Sequence, residues 1–229
     1  MWFVVMEAAA SGSDPVWTNL VAYYPLDGTA TDSITSSNGT WGADVTETND
    51  VPFASAGTAA SMNQAANSYV STLGSALLNG ESDCTIAAWI KLRTLESYAG
   101  LVASRGINLN GFMQKESTKA GQIYGSISSI LVPVFGAAST ESLTVGTWGH
   151  VAIVKDSSST NMSVCINGIL ADSAYSSGTI LQNDIFKIGY EDAVTGRKTD
   201  GTFDEVPIWN RALSSNEVFR IYDEQLTYP

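Results

Sequence analysis

The sequence predicts an all-β fold, an antiparallel sandwich of two sheets that ends in one short helix. Short β-branched or aromatic runs recur along the 229 residues, and turns rich in Gly, Asn, Ser and Asp separate them. No helical periodicity intervenes between these runs, which favours a sandwich. Hydrophobic residues make up 44% of the chain and charged residues 15%, so the chain can bury a core. A β-domain of this length commonly forms a single unit.

The predicted strands follow one another at short intervals. Their ranges are 19–26, 68–73, 84–92, 100–106, 122–129, 149–156, 162–171, 185–191 and 201–210. Alternate positions from Cys84 to Ile90 share one face, and the positions between them, from Thr85 to Trp89, share the other. Because both faces are apolar, we expect this strand at the centre of a sheet that is covered on both sides. The Ser/Ala/Gly-rich stretch 54–66 is predicted to be a long surface loop.

Two local motifs predict a hairpin and the helix. Asn167-Gly168 lies between apolar runs and is a strong signal for a tight β-hairpin. Ser214 is a candidate N-cap, and Glu217 follows it three residues later, which is the capping-box pattern. Apolar side chains then recur at helical spacing, at Val218, Ile221 and Tyr222. We predict one short helix that packs on the edge of the sandwich.

Acidic residues dominate the charge of the chain. It has 11 Lys and Arg against 23 Asp and Glu, a formal net charge of -12 at pH 7, and its basic residues are scattered. Phosphate neutralisation requires a cationic patch, so this composition argues against nucleic acid and against an anionic membrane surface as partners. The carboxylates can instead serve solubility or hold divalent cations.

The first 18 residues form a segment of their own. Their apolar run is interrupted by Glu7, and no basic residue precedes it. The run is too short to span a bilayer, and it lacks the features of a secretory signal. We therefore predict an N-terminal arm over residues 1–18, a main domain over residues 19–229, and no membrane insertion.

The two cysteines lie in apolar strand-like runs. Cys84 and Cys165 are consistent with buried free thiols, because free Cys behaves as a small hydrophobic residue. A disulfide between them is the alternative, and it would require an oxidising compartment. The sequence shows no His/Cys pairing at zinc-ligand spacing.

Six blocks of the sequence occur in the order of a known family. They are LVAYYPLDGTATDSITSSNGTW (20–41), DCTIAAWIKL (83–92), GTWGHVAIVKD (146–156), MSVCINGIL (162–170), FKIGY (186–190) and GTFDEVPIWNRALSSNEVFRIY (201–222). Together they resemble the laminin-G-like, concanavalin A-like jelly-roll family over residues 19 to 226. The resemblance implies a two-sheet antiparallel jelly roll. It does not fix a function, because this fold hosts lectins, hydrolases, adhesion modules and capsid or fibre proteins.

The sequence offers poor candidates for catalysis. Retaining glycosidases need two carboxylates about 5 Å apart. Related laminarinases carry them in a Glu-x-Asp-x-x-Glu pattern, but here Glu81 is followed by Ile86 at the position of the second Glu. Asp204 and Glu205 are adjacent on a strand, so we expect their side chains to point to opposite faces. His150, the only histidine, is expected to pack and form hydrogen bonds.

The resemblance also implies a structural calcium site. The positions that match are Asp27, Gly28 and Asp204, whose carboxylates and loop carbonyl supply the oxygen ligands that calcium prefers. The alternative is that Asp27 and Asp204 only cap turns by accepting backbone N–H bonds. In either case we expect Asp200 to face solvent in a turn. Glu205 is expected to pair with Arg211.

Loop aromatics are the candidates for ligand binding. Sugar rings stack on aromatic faces, while amides and carboxylates bind sugar hydroxyls. The candidate residues are Trp41, Tyr98, Tyr124, Tyr175 and Tyr190. Three other tryptophans lie on strands that match the family and are expected in the core, namely Trp89, Trp148 and Trp209.

These observations lead to a non-catalytic module for recognition or assembly. The apolar arm over residues 1–18 can add a strand to a neighbouring subunit. The leading hypothesis is a phage virion surface protein, a decoration or fibre subunit, with glycan adhesion as a second role. The alternatives are an extracellular polysaccharide-binding module and a glycoside hydrolase of the concanavalin A-like class. The expected location is the virion surface, otherwise the extracellular space.

Overall fold

The computed structural model describes residues 15–35, 37–72, 77–95, 99–103, 111–115, 122–125, 142–180, 186–190 and 197–227. Each of these ranges contains at least one strand: β1 Leu20–Tyr24, β2 Thr40–Trp41, β3 Thr46–Thr48, β4 Ala59–Met62, β5 Val70–Ser71, β6 Cys84–Leu92, β7 Gly100–Ala103, β8 Gly111–Lys115, β9 Ile123–Tyr124, β10 Trp148–Asp156, β11 Asn161–Ile166, β12 Ile169–Tyr175, β13 Lys187–Ile188, β14 Gly201–Asp204 and β15 Val206–Trp209. A helix, α1, covers Ser215–Thr227, and a 3₁₀ turn covers Pro15–Trp17.

Two antiparallel sheets form the sandwich, as predicted. The larger has nine strands in the order β12-β11-β10-β6-β14-β4-β3, with β15 paired to β6 and β1 paired to β15. The smaller has six strands in the order β2-β5-β13-β7-β8-β9. Both sheets combine pairs of consecutive strands with pairs that are distant in sequence, such as β6-β14 and β5-β13, so the described part of the fold is a jelly roll with many long-range strand pairs.

Strand β6 lies at the centre of the larger sheet and is buried on both faces. Its inward residues, such as Ile86 and Ile90, pack against residues of the smaller sheet, such as Val102 and Ile188. Its outward residue Ala87 belongs to a second apolar cluster. The alternation predicted from the sequence is therefore confirmed. Two-sided burial explains why this run has almost no polar residue.

The outward face of the nine-stranded sheet is covered by α1 and by the 3₁₀ turn. Val218 and Ile221 of the helix and Trp17 of the turn are buried there. The ring of Trp17 stacks on that of Trp209, with centroids 5.8 Å apart. The Trp209 Nε1–H also donates to the Val16 carbonyl at 3.0 Å. The packed part of the chain thus includes residues 15–18, which had been assigned to the arm, while residues 1–14 lie outside the described residues.

Glu205 interrupts what would otherwise be one continuous strand. Its φ is +50°, in the left-handed region, and it separates β14 from β15. Before this residue the chain pairs with β4 and β6, and after it the chain pairs with β1 and β6. A single bulge-like residue therefore lets the chain exchange one neighbour while it keeps β6.

The structure corrects one part of the strand prediction and leaves others untested. The stretch 54–66 was predicted to be a loop, but it contains β4, whose Ala59 and Ala60 are fully buried. Alanine has low strand propensity, and here sheet pairing with Phe203 and burial outweigh that preference. Residues 73, 104–106, 126–129, 185 and 191 of the predicted strands lie outside the described residues.

Both cysteines are buried free thiols. Cys84 belongs to the cluster between the sheets, whereas Cys165 belongs to the cluster on the outward face. They therefore lie on opposite sides of one sheet, so a disulfide between them is excluded in this fold. Burial raises the pKa of Cys84 to about 12 and the pKa of Cys165 to about 11, so both stay protonated at neutral pH.

Helix α1 begins with the predicted capping box. The Ser214 N–H donates to Glu217 Oε2 at 2.8 Å, and the Glu217 N–H donates to Ser214 Oγ at 3.3 Å. Glu217 also accepts from Arg211, whose guanidinium donates to the carbonyls of Pro15 and Thr18. One carboxylate thus caps the helix and holds the arginine that fastens the 3₁₀ turn.

Replacing this carboxylate is predicted to cost more stability than replacing another acid of the same helix. Glu217→Ala removes the cap and the Arg211 ion pair, and we expect a loss of about 1–2 kcal/mol in the free energy of unfolding. Glu224→Ala removes a helical ion pair with Arg220 and should cost about 0.5 kcal/mol or less. Urea unfolding of the two variants checks this, and equal losses would contradict it.

Candidate functional site

Two of the predicted ligand residues lie toward the same edge of the six-stranded sheet. Trp41 lies on β2 and Tyr190 follows β13, and β5 separates these two strands. The register places Thr40, Ser71 and Lys187 in one row across β2, β5 and β13. Val70, one position earlier on β5, is buried between the sheets, so this row faces away from the core.

A pocket opens at this edge. It has a volume of about 320 Å³ and is lined by Thr40, Trp41, Gly42, Ala43, Asn67, Tyr69 and Ser71. Its walls combine two aromatic rings with hydroxyl and amide groups that donate and accept hydrogen bonds. Such a lining suits a ligand that presents both C–H faces and hydroxyl groups.

Tyr69 extends the aromatic surface beyond the pocket. Its ring centroid lies 5.2 Å from that of Tyr190, with the planes inclined by 36°. The Lys187 Nζ is 5.7 Å from the Tyr69 centroid and 5.5 Å from the Tyr190 centroid. The Lys198 Nζ lies 5.3 Å from the Tyr190 centroid. Two ammonium groups therefore sit against the ring pair, at distances typical of cation–π contacts.

Close backbone approach fixes the pocket wall. The Gly42 N–H donates to the Tyr69 carbonyl at 3.1 Å. A Cβ on Gly42 would overlap the carbonyl oxygens of Asn67 and Tyr69, so this contact requires glycine. The Trp41 indole N–H donates to the Val45 carbonyl at 3.2 Å, which fixes the ring as part of the wall.

The other predicted ligand residues lie elsewhere. Tyr124 is on β9, at the opposite edge of the six-stranded sheet, and Tyr175 is on β12, at an edge of the other sheet. Tyr98 lies outside the described residues. Tyr69 was not predicted as a ligand residue. The alternation of Tyr69 with buried Val70 in a predicted strand could have indicated that it faces outward.

The acids that the family resemblance implied for calcium occur in one cluster. The Asp27 Oδ1 accepts from the Thr58 N–H at 2.7 Å, and the Thr58 hydroxyl donates to Glu47 Oε1 at 2.7 Å. Gly28 has a φ of +65°, and a Cβ there would lie 2.9 Å from Glu47 Oε1. Glu47, on β3, was not predicted as a member of this cluster.

Asp204 supplies the buried member of the cluster. Burial raises the pKa of Asp204 well above its usual value, and the charge of Asp27 raises it further. Partial burial also raises the pKa of Asp27, and the charge of Glu47 raises it further. The hydrogen bond from the Thr58 N–H lowers the same pKa, but by less than burial raises it. The Asp204 Oδ1 accepts from the Glu205 N–H at 3.0 Å, whereas Oδ2 is buried without a hydrogen-bond partner.

The cluster of Asp27, Glu47 and Asp204 suits a cation that takes only some of its ligands from acidic side chains. No group of three or more His, Cys, Asp or Glu residues that could hold a metal ion occurs in the described ranges. Calcium, however, accepts backbone carbonyls and water as well as carboxylates. A buried carboxylate oxygen without a partner, facing like charges, is the feature that a bound cation would compensate.

One expectation about neighbouring charges is corrected. Glu205 was predicted to pair with Arg211, but the acid that pairs with that guanidinium is Glu217, at 2.8 Å. Asp200 was predicted to face solvent; its side chain is partly exposed, and its Oδ1 accepts from Arg93 Nε at 2.7 Å. Glu205 is instead buried, and burial raises its pKa to about 8.

His150 lies in an aromatic cluster on the outward face of the nine-stranded sheet. Its ring centroid is 5.4 Å from that of Trp89 and 6.1 Å from that of Tyr222. The prediction that it packs is confirmed, but both ring nitrogens are buried without a hydrogen-bond partner. The backbone N–H of His150 donates to Asn167 Oδ1 at 2.9 Å, and its carbonyl accepts from the Asn167 N–H at 2.8 Å. Burial lowers the pKa of His150 to about 3, so the imidazole is neutral at pH 7.

The predicted core tryptophans behave as expected in two cases of three. Trp89 and Trp209 are buried. Trp148 is half-buried, and its indole N–H donates to Asp50 Oδ1 at 3.1 Å.

Among the described residues, no helix is long and apolar enough to cross a membrane.

Comparison with known proteins places this fold in a family. The model of the concanavalin A-like lectin/glucanases superfamily matches residues 63–219, more than half of the chain. The chain belongs to this superfamily. This match confirms the predicted laminin-G-like, concanavalin A-like jelly roll. No curated protein matches the sequence.

Solved structures of this superfamily's fold are similar at low sequence identity. Domain 4 of a GH43 extracellular arabinanase from Geobacillus stearothermophilus, in complex with arabinotriose, has 17% identity and a TM-score of 0.64 over 89% of this chain and 98% of that chain. The binding domain of Paraclostridial Mosquitocidal Protein 1 has 17% identity and a TM-score of 0.71 over 90% and 52%. Trypanosoma rangeli sialidase in complex with the inhibitor DANA has 14% identity and a TM-score of 0.61 over 91% and 34%. The chain thus spans nearly all of the arabinanase domain but about half or less of the other two.

The buried neutral state of His150 predicts a loss of stability in acid. Its pKa is lower in the folded chain than the usual value near 6.5, so only the unfolded chain binds a proton between about pH 6.5 and pH 3. Stability from this group is complete above about pH 6.5 and falls as the pH is lowered. His150 is the only histidine. The free energy of unfolding of His150→Phe, measured relative to that of wild type, should therefore rise by about 2 kcal/mol as the pH falls from 7 to 5.

Urea unfolding of both chains at pH 7, 6 and 5 measures this difference. Comparing the two chains at each pH cancels the carboxylates that also titrate. A difference in unfolding free energy that stays constant over this range would show that His150 keeps an ordinary pKa in the folded chain.

Proposed function

We propose that this chain is a non-catalytic carbohydrate-binding module whose ligand binds at the β2-β5-β13 edge of the six-stranded sheet. The observation that carries the proposal is the Tyr69–Tyr190 ring pair beside the pocket that Trp41 helps to line. The rings offer apolar faces to sugar C–H groups, while Asn67 and Ser71 offer hydrogen-bonding groups to hydroxyls.

The superfamily and its structural neighbours support a binding role. The arabinanase domain was solved with arabinotriose, and the mosquitocidal protein segment is a binding domain. These likenesses concern the fold, so the chemistry of the pocket must carry the functional argument. Its seven lining residues are neutral, and they include polar and aromatic side chains in the mixture that sugars require.

The position of the acids supports a module that binds without hydrolysis. Retaining glycosidases place two carboxylates about 5 Å apart at the bond they break. The seven residues that line the pocket include neither Asp nor Glu. Glu205 is buried in the nine-stranded sheet, and Glu81 precedes β6 of that sheet with Oε1 3.5 Å from Asn210 Nδ2. The hydrolase alternative therefore has no carboxylate pair at this pocket.

A calcium ion held by Asp27 and Asp204, with the Gly28 carbonyl, is part of the proposal. The support is the buried, unpartnered Oδ2 of Asp204, together with the pKa values of both acids, which burial raises first and nearby carboxylates raise further. A divalent cation would neutralise this repulsion and join the turn after β1 to β14. Its role would be structural, since these acids are not among the residues that line the pocket.

Assembly through residues 1–18, as a phage virion surface protein, remains a separate and untested prediction. Residues 15–18 pack on their own domain, and residues 1–14 lie outside the described residues. The described residues therefore favour glycan recognition as the leading function. Extracellular exposure or display on a virion would each be compatible with such a module.

Removal of Tyr69 is predicted to abolish most of the glycan affinity. We expect Tyr69→Ala to weaken binding about tenfold or more, because the ring forms part of both the pocket and the stacked pair. The matched control is Tyr175→Ala, which removes a 66% exposed tyrosine from the other sheet and should leave affinity unchanged. Calorimetry with a panel of neutral and acidic oligosaccharides that includes arabinotriose tests this. Equal loss in the two variants, or binding by neither them nor wild type, would refute the site.

Calcium is predicted to raise the melting temperature of the wild-type chain above its value in EGTA. A ligand present at 100 times its Kd stabilises the folded state by about 2.7 kcal/mol. Asp204→Asn should lose this response and, in EGTA, be at least as stable as wild type, because the amide removes a buried like charge. Asp50→Asn, which alters an exposed acid paired with Lys91, should keep the response. An identical wild-type melting temperature in calcium and EGTA would rule the ion out.

A further inference from the structure

We infer that the side chains of Lys155 and Asn210 join in an intramolecular amide cross-link, with Glu81 as the group that transfers the protons. The three residues lie at the end of the sandwich where β6 begins. The Asn210 Nδ2 is 3.5 Å from Glu81 Oε1, and the Lys155 Nζ donates to the carbonyl of the next residue, Ser82, at 2.6 Å. An amine, a carboxamide and a carboxylate thus meet at one short segment of the chain.

The sheet register brings the lysine and the asparagine to either side of β6. Lys155 of β10 is the cross-strand partner of Cys84, the first residue of β6. On the other side of β6, Trp209 pairs with Thr85, and continuing this register by one residue places Asn210 beside Cys84. Neighbouring strands are about 4.8 Å apart, so the two backbones are about 10 Å apart. Two side chains that point toward each other can span this separation.

Both side chains lie on the inward face of the nine-stranded sheet. Ile153 and Ile208, which come two positions before Lys155 and Asn210, belong to the apolar cluster between the two sheets, and Cys84 belongs to it as well. Successive residues of a strand point to opposite faces, so Lys155 and Asn210 share the face of these three residues.

Lys155 is a buried cation without a counter-ion. It is 1% exposed. Within the described ranges its Nζ donates to the Ser82 carbonyl and forms no ion pair. A buried charge that is not paired is costly. The Asn210 Oδ1 is also buried, and it has no hydrogen-bond partner among the described residues. Converting the ammonium and the carboxamide into one neutral amide removes the buried charge.

The backbone around Glu81 is held in place by a second segment. The Glu81 carbonyl accepts from the Ile180 N–H at 2.8 Å, and the Gly80 N–H donates to the Ile180 carbonyl at 2.8 Å. Ile180 and Leu78 are fully buried. The fold therefore holds the carboxylate beside the carboxamide, and such positioning lowers the barrier to a reaction between groups of the same chain.

The reaction is the attack of an amine on a carboxamide. Glu81 takes a proton from the Lys155 ammonium, and the neutral Nζ attacks Cγ of Asn210 to form an Nζ–Cγ bond. Glu81 then passes this proton to Nδ2, the Cγ–Nδ2 bond breaks, and the second proton lost by Nζ leaves with the ammonia as an ammonium ion. One ammonium and one carboxamide give one secondary amide and one ammonium ion, so the step needs no oxidant or cofactor.

The cross-link would tie β10 to the residue that follows β15, across β6. It would close a covalent loop from Lys155 to Asn210, and such a loop restricts the unfolded chain. These residues are not among those that line the pocket. The inference is therefore independent of the proposed carbohydrate binding, and either can fail without the other.

Mass spectrometry of the intact, denatured chain tests the inference. We expect wild type to be lighter than its sequence by one molecule of ammonia, and a digest to contain a branched peptide that joins residues 155 and 210. Lys155→Met, Asn210→Ala and Glu81→Gln should each have the full mass of their sequence. The matched control is Asp83→Asn, which alters a neighbouring acid whose Oδ1 accepts from the Ser157 N–H at 2.6 Å, and this variant should still lose ammonia.

A wild-type chain with the full mass of its sequence would overturn the inference, whether or not any variant folds. Ammonia is also lost when an asparagine before a glycine forms a succinimide, as Asn167-Gly168 could. That loss would persist in Lys155→Met and give no branched peptide, and this result would overturn the inference too. A branched peptide in Glu81→Gln would show that Glu81 is not the proton-transfer group. Near-ultraviolet circular dichroism identifies the variants that are folded.

Discussion

Strand β6 is apolar on both faces, and much of the molecule follows from the need to cover it. The inward face is covered by the six-stranded sheet. The outward face is covered by α1, the 3₁₀ turn and an aromatic group in which Trp89 stacks on Tyr222 at 5.6 Å. The centre of the nine-stranded sheet is therefore closed on both sides. The pocket and the Tyr69–Tyr190 ring pair lie elsewhere, at the β2-β5-β13 edge of the six-stranded sheet.

The left-handed residue Glu205 is the second constraint, and it places the acids. By ending β14 it leaves Asp204 at the strand terminus, opposite Trp89 of β6. Asp204 is thereby fully buried yet close enough to Asp27 for their charges to interact. A regular strand would have kept β4 as the neighbour of residues 206–209 and excluded β1. The pairing change and the acid cluster thus have a common cause in one backbone conformation.

What the sequence predicted and what it did not can be separated by range. The capping box of Ser214 and Glu217, the Asn167-Gly168 turn and the alternation along β6 depend on neighbours within a few residues, and all three were predicted. Strand β4 was missed because its small residues carry no strand preference. The meeting of Trp41, Tyr69 and Tyr190 depends on the strand order β2-β5-β13, which joins segments far apart in sequence. No local pattern contains that order, so the sequence did not show that Tyr69 lies beside Tyr190, or that Tyr175 lies on the other sheet.

The segment between β1 and β2 connects the acid cluster to the pocket, because Asp27 lies near its start and Trp41 follows its end. Its middle is organised by the buried carboxylate of Asp32, which accepts hydrogen bonds from the N–H groups of Tyr23, Ile34, Thr35 and Ser37. These bonds need no metal ion, and they fix the segment between the two sites. A shift of Asp27 on binding a cation would therefore be absorbed before it reached Trp41. We expect the proposed ligand site to keep its geometry with or without calcium, so a bound metal would change the stability of the fold and leave the positions of Trp41 and Tyr69 unchanged.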